Sequence, residues 1–465
     1  MSEFSKKNKF ILYFFFIFLG LLTILYQINF EDFWLDEMHS FWIADPNLML
    51  NETILRHNKS DYHNPILFNL VLKNFLNLFG YDPEVARYLS LIFGFLSFFI
   101  FGLITYEIKK DNTFLLTTLL ACLSIYIIKY SQEVRPYSLL LLTSALNIYF
   151  FLKVTNEKQN NKKNVILFVF FSVINYSTNP FSLIIFFSQI FFSIYKFLLF
   201  RKKYIQLYIS IILIVIFYLF FNYRYILVQI SFENYMLSSD IMNVLDGLYF
   251  PRFFGSKIMG YFYLAMLLSL VLKNRRKIFL SNNSYIFFLI IIIFSFLIPF
   301  LYGIYKTPVL HDRYIIFILI PIFVLIPCLL NDFQNLKLKK LFISLLLILT
   351  ISNHLIEIFD RSRDKPEFND ILKQIKKTEN KNIVLFNPRE TSVFIINYLE
   401  NINPDIRKNF NFFEFKKLNE DLKVFWILCY MPEVNFECKI NKINNFEIID
   451  FKKTNLVHAY LYKKI

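Results

Sequence analysis

The sequence predicts an α-helical polytopic membrane protein, with about eleven transmembrane helices and an interfacial helix on the outer face, followed by a small C-terminal α/β domain outside the membrane. Three observations predict it. Hydrophobic residues make up 56% of the 465 and aromatic residues 20%, with a mean hydropathy of +0.46, which ordinary soluble domains do not reach. Apolar runs long enough to cross a hydrocarbon core of roughly 30 Å recur along the chain. Near residue 357 that pattern stops, and the alternating and amphipathic patterns of a soluble domain replace it.

The first span lies near residues 10 to 28. No small-residue cleavage site follows it and many spans come after it, so it reads as an anchor that stays. Further spans lie near residues 86 to 107, 113 to 130, 136 to 152, 165 to 178, 181 to 199, 205 to 223, 258 to 272, 285 to 303, 314 to 330 and 341 to 356. The segment Pro65 to Gly80 is apolar but only about 15 residues long, and Asn69, Lys73, Asn74 and Asn77 interrupt it. If it lies in the interface, the basic short loops all fall on one side: Lys6 to Lys9, Lys109 and Lys110, Lys153 to Lys163, Arg201 to Lys203, Lys273 to Lys277, and Lys337 to Lys340. By the positive-inside rule that side is the cytoplasm. Much of the net charge of +15 is then an orientation signal and not a nucleic-acid surface.

Residues 1–356 thus form the membrane domain, with the first outer loop at 29–85, and residues 357–465 form the soluble domain. In the latter, Arg361 to Pro366 reads as a charged linker, 367 to 377 as a helix and 382 to 386 as a strand. A second helix follows near 389 to 400, with strands at 423 to 430, 446 to 451 and 457 to 462. The four cysteines are scattered and show no zinc-ligand spacing. Cys429 and Cys438 would lie outside the membrane, where a disulfide between them is one alternative.

The outer side collects the unusual polar residues. Asp36 and Glu37 follow the first span, and adjacent carboxylates at a membrane surface are costly to desolvate and suited to take a proton from a hydroxyl. The same side receives His63, the turn from Ser131 to Tyr137 with Glu133 and Arg135, the turn from Ser177 to Pro180, the loop 224 to 257, and His311-Asp312-Arg313-Tyr314. The plain readings are a solvated loop for the carboxylates, headgroup anchoring for the two arginines, and a simple ion pair between Glu133 and Arg135.

The order of these residues resembles the polytopic GT-C glycosyltransferases, and within them the bacterial glycosyltransferase family 39 group, relatives of the protein O-mannosyltransferases and the aminoarabinose transferases. The resemblance rests on Asp36-Glu37 after the first span, on His63-Asn64-Pro65 opening an apolar helix that ends Leu78-Phe79-Gly80, and on Arg87 at the next span. Ser131-Gln132-Glu133-Val134-Arg135-Pro136-Tyr137 is similar to the group's Ser-Gln-Glu-Ala-Arg-x-Tyr pattern, and Asp312-Arg313-Tyr314 to its late Arg-Tyr. The chain departs from the group in the turn 175–180, which has no histidine after Tyr176, and at Asn64, where relatives often have a second proline.

The resemblance implies inverting transfer of a sugar from a polyprenyl-phosphate donor to an acceptor hydroxyl outside the cytoplasmic membrane, on a lipid, a glycan or a protein. Asp36 would be the general base, and Glu37 would orient it or touch the acceptor. A departing phosphate needs electrostatic stabilisation more than a proton, which points to Arg135 and Arg313, whose planar guanidinium groups suit phosphate oxygens. His63, Glu133, Tyr137 and Tyr314 are the expected substrate contacts. No cofactor is required; His63 and His311 are the candidate ligands should a divalent metal take part with a carboxylate. Two other classes share the span count, a transporter or flippase of lipid-linked sugars and a non-catalytic subunit of an envelope complex. The first would place ionisable residues inside spans, whereas here they cluster at span ends.

Overall fold

The structure is a computed structural model that describes residues 6–62, 64–156, 159, 161–200, 205–231, 252–280, 284–306, 309–377, 382–386, 391–402, 408–414, 422–431 and 446–465. His63, Cys438, the basic cluster 201–203 and most of the expected loop 224 to 257 lie outside the described residues.

The chain opens with α1 (Lys6–Leu25), which leads into a loop carrying three helices, α2 (Leu35–Ile43), α3 (Leu50–Ser60) and α4 (Leu67–Phe79). With 13 residues, α4 rises only about 20 Å and is too short to cross. It buries Phe68, Leu72 and Leu76 along one stripe and leaves Leu78 and Phe79 exposed at its end, as an interfacial helix does. Lys73 turns its ammonium to the carbonyls of Asp45 and Leu48, at 2.6 and 2.7 Å. The apolar pattern alone points to α4. The start of α3 is marked more quietly, by Glu52, whose carboxylate accepts the Met49 N–H at 2.7 Å.

The bundle continues with α5 (Pro83–Lys109), α6 (Thr113–Cys122), α7 (Ile125–Ser131) and α8 (Tyr137–Thr155). Among the described residues eight helices are long and apolar enough to cross a membrane, and α6 with α7, bent by 56° at their break, makes a ninth if counted as one span. Ser124 sits at that break, its hydroxyl accepting the Ile127 N–H at 3.4 Å and so restarting the helix. The other two expected spans are helices as well, Lys162–Tyr176 and Lys257–Lys273, but of 15 and 17 residues. They are shorter than the roughly 20 residues of a typical crossing, so among the described residues eight or nine of the eleven expected spans are full-length.

Both short helices still run between the two ends of the bundle. At one end Phe181 lies 5.0 Å from Tyr314, and Ser256 donates to Asn353 at 3.0 Å, near the close of the last long helix, Leu336–Phe359. At the other end, Lys109 and Lys277 meet Asp332 at 2.5 and 2.6 Å. The first loop and the C-terminal domain share the end that holds Tyr314.

That domain places the helix Phe368–Lys376 and the helix Thr391–Ile402 beside a five-stranded sheet: β1 (Asn382–Phe386), β2 (Asn411–Glu414), β3 (Val424–Tyr430), β4 (Phe446–Thr454) and β5 (Val457–Lys464), in the order β2-β1-β3-β5-β4. The first three strands pair in parallel, and β5 joins β3 and β4 antiparallel. Cys429 is buried in β3.

The change of sequence pattern near 357 does not mark a gap in packing. One apolar cluster runs from Phe33, Met38 and Phe41 of the first loop through Phe68 and Leu72 into Phe368, Tyr398 and Trp426 of the C-terminal domain. Phe33 stacks on Tyr398 at 5.0 Å, and the Tyr398 hydroxyl accepts the Phe33 N–H at 3.1 Å. Tyr81, stacked on Phe41 at 4.2 Å, donates to Asn397 at 2.7 Å. Burying aromatic pairs of this size makes the domain part of the loop's fold.

Candidate active site

Three segments far apart in the chain supply the site. The first turn of α2 carries Asp36 and Glu37, where the positive end of the helix favours carboxylates. The turn between α7 and α8 carries Glu133 and Arg135, and Pro136, with its φ fixed near −65°, turns the chain into α8. The third is the start of the span Asp312–Asn331, which carries Arg313 and Tyr314.

Arg313 meets Asp36 directly, its Nη1 at 3.3 Å from Oδ2. Arg135 approaches the same residue from its main-chain side: its Nη1 donates to the Asp36 carbonyl at 3.1 Å and to the Ser40 hydroxyl at 2.9 Å, and lies 3.9 Å from Asp61. The Nε of each arginine is buried with no hydrogen-bond partner, so both guanidinium groups have a donor to spare. Tyr137 and Tyr314 flank Arg313, which sits 5.7 and 5.5 Å from their ring centroids.

Asp36 is walled in by protein, yet its side chain is 41% exposed. Burial pushes its carboxyl up, but Arg135 and Arg313, with His39 beyond them, outweigh that and hold it below the usual carboxylate range. It is therefore ionised at neutral pH, with room on its oxygens to take a proton.

Glu37, next in the chain, sits quite differently. It is fully buried; its Oε1 accepts the Val134 N–H at 2.9 Å and its Oε2 the Lys365 ammonium at 2.6 Å. Glu133 is buried too, 3.8 Å from Lys365 on Oε1, with Oε2 unpartnered. Burial and the nearby Glu37 push its carboxyl above the usual range against the pull of Lys365. The expected pairing of Glu133 with Arg135 takes a different form: the two share a main-chain hydrogen bond of 2.8 Å, while the guanidinium turns to Ser40 and Asp61.

His311 caps the span that follows it, its Nδ1 accepting the Arg313 N–H at 3.4 Å and lying 2.5 Å from Asp312. His63, its expected companion for a metal, lies outside the described residues. Among the described residues no group of three or more His, Cys, Asp or Glu side chains is arranged to hold a metal ion.

The structure also brings in residues that the sequence pattern does not single out. Ser40 and Asp61 hold Arg135. Lys365 comes from the linker after the last span, and its neighbours are pinned as well: Glu31 accepts from Arg361 at 2.9 Å and from the Asp364 N–H at 2.9 Å, and Asp32 takes both the N–H and the side-chain amide of Asn369, at 2.7 and 2.6 Å.

No protein-family model matches the chain, and no curated protein matches it. Among solved structures it is similar to ArnT from Cupriavidus metallidurans bound to undecaprenyl phosphate, with a TM-score of 0.61 and 10% identity over 96% of this chain and 97% of that one. The apo state of that ArnT matches with a TM-score of 0.57 and 10% identity, over 86% of this chain and 88% of that one. At a tenth identical the likeness is one of fold, and it extends over almost the whole chain. The protein is thus a multi-pass membrane protein with the fold of ArnT.

Proposed function

We propose that this protein is a membrane glycosyltransferase that moves a sugar from a polyprenyl-phosphate donor to an acceptor hydroxyl, with Asp36 as general base. One observation carries the reading: an accessible, ionised carboxylate lies between two arginines that each keep a buried, unspent donor. In the transfer the acceptor oxygen attacks the anomeric carbon from the face opposite the phosphate, and its proton passes to the Asp36 carboxylate. The bond from the anomeric carbon to the phosphate oxygen breaks, its electron pair leaves with polyprenyl phosphate, and the configuration inverts. Arg313 and Arg135 receive the growing charge on that phosphate, so stabilisation falls where charge develops. When Arg313 turns to the phosphate, its hold on Asp36 relaxes, and the carboxylate becomes a stronger base at the moment it is needed. Tyr314, partly exposed beside Arg313, forms one wall for the sugar, and Tyr137, buried behind it, backs the arginine. The undecaprenyl phosphate seen on the related fold supports this donor class.

The test is transfer from a labelled polyprenyl-phosphate sugar in membranes. Asp36→Asn keeps the side-chain shape and removes the base, which is expected to slow transfer by about 10² to 10⁴; unchanged transfer sinks the assignment.

The proposed side is the outer face of the cytoplasmic membrane. Its support is that Lys109, Lys277 and Lys339 gather at the opposite end of the bundle from Asp36, as the positive-inside rule expects of cytoplasmic ends. Single cysteines at Ser256 and Lys277 should react with impermeant reagents from opposite sides of the membrane, Ser256 from outside. Labelling of both from one side would break this orientation.

A further inference from the structure

We propose that Lys365 is a positioning residue of the site, through which the linker to the C-terminal domain sets the places of both Asp36 and Arg135. The inference rests on the glycosyltransferase reading for what is being positioned, and on geometry for how.

Lys365 extends a side chain only 8% exposed into the gap between the first loop and the turn after α7. Its ammonium lies 2.6 Å from Glu37 and 3.8 Å from Glu133, which are 0% and 3% exposed. The other oxygen of Glu37 holds the Val134 N–H at 2.9 Å. Each arm of this clamp therefore ends one residue from the chemistry: Glu37 adjoins Asp36, and Val134 adjoins Arg135. The clamp fixes α2 against the turn, and Arg135 then closes the same joint from the far side by donating to the Asp36 carbonyl.

The lysine's own backbone is held as firmly. Its N–H donates to Glu31 at 3.3 Å, and its carbonyl accepts the amide of Asn455, from the tip of the β4–β5 hairpin, at 3.2 Å. The chain of contacts runs from the sheet through Asn455 and Lys365 to Glu37 and ends beside the base. An ammonium buried with two carboxylates makes that link costly to break, because losing it leaves the two buried carboxylates without the cation between them. Among the described residues Lys365 pairs with Glu37 and Glu133 and with neither Asp36 nor the two arginines, so its contribution is to their placement.

Lys365→Met tests the link, and Lys365→Arg is its rescue, since a guanidinium still reaches a carboxylate. In purified full-length protein, Lys365→Met should lower kcat by about 10- to 100-fold, the scale of a reacting group displaced by an ångström, with KM for the donor within about threefold. Glu37→Gln should do the same, and Lys365→Met with Glu37→Gln should be no worse than either alone, because both break one link. Lys365→Arg should recover most of the rate. A second readout does not depend on catalysis: hydrogen exchange in Lys365→Met should speed up across residues 35–43 and 132–136 and stay unchanged in α5 and β3. If the wild type transfers no sugar from a polyprenyl phosphate, the proposed function fails, and the exchange pattern alone decides the positioning role. Unchanged protection in both segments overturns that role, as do additive losses in the double variant or a loss confined to KM.

Discussion

At the basic end of the bundle Asp332 is surrounded by donors. Lys109 and Lys277 reach its Oδ1 at 2.5 and 2.6 Å, the Tyr285 hydroxyl reaches Oδ2 at 2.9 Å, and the side chain is 6% exposed. At the opposite end Asp36 also lies near two cations, but among the described residues its carboxylate receives one side-chain donor, Arg313, at 3.3 Å, and stays 41% exposed. The second cation, Arg135, binds the Asp36 carbonyl and Ser40 instead. A saturated carboxylate ties helix ends together and has little capacity left for a proton. A carboxylate held ionised by charge, with lone pairs free, can accept one. The same contrast repeats between neighbours in α2, since Glu37 has both oxygens occupied and Asp36 does not.

The contrast makes its largest prediction at Asp36 itself, where Asn substitution is expected to cost about 10² to 10⁴ in transfer with little change in thermal stability, since the carboxylate has one long contact to lose. The next effect is at Arg313. Removing it as Arg313→Met takes away a stabiliser of the leaving phosphate, expected to lower kcat/KM by about 10². It also changes the pH profile with a definite sign. Burial raises the Asp36 carboxyl, and Arg135, Arg313 and His39 lower it; without Arg313 the carboxylate takes up its proton at a higher pH. The acid limb of kcat/KM, which reports the free enzyme, should therefore move upward in Arg313→Met. A limb that stays in place would show that Asp36 is not the titrating base.

Much of this was legible before the structure. The spans were, because a run of about 20 apolar residues has few other uses, and so was the meeting of Asp36, Arg135 and Arg313 at one end, because basic loops set the parity. The helix Phe368–Lys376 and strands β1, β3, β4 and β5 also follow their local patterns. What escaped was non-local or short. The helices α2 and α3 are amphipathic over only 9 and 11 residues, too brief for a clear period. The strand β2 has four residues, Asn411–Glu414, and exists by pairing with β1. The helix Lys162–Tyr176 runs between the two ends of the bundle in only 15 residues, and its apolar pattern gives no sign of how it does so. Lys365 is the clearest case: in a run from Arg361 to Lys365 it reads as linker charge, and its partner Glu37 is 328 residues away, with nothing local to announce the pair.

The smallest effect on rate is expected at Asp332. Asp332→Asn keeps an acceptor but removes the negative charge from a joint that ties Lys109 of α5, Lys277, and the helices Tyr285–Tyr305 and Leu319–Asn331. Breaking a fully buried pair costs about 3 to 5 kcal/mol. Lys277 is half exposed, so water screens part of the loss, and about 1 to 3 kcal/mol is the expected cost. In detergent that should appear as a melting transition lower by several degrees. Because no step of the proposed transfer touches this end, transfer per folded molecule should stay within about twofold of wild type. A loss of rate on the scale of Asp36→Asn, with the melting transition unmoved, would mean that the saturated aspartate is not merely a tie between helix ends, and the division of labour between the two ends would fall with it.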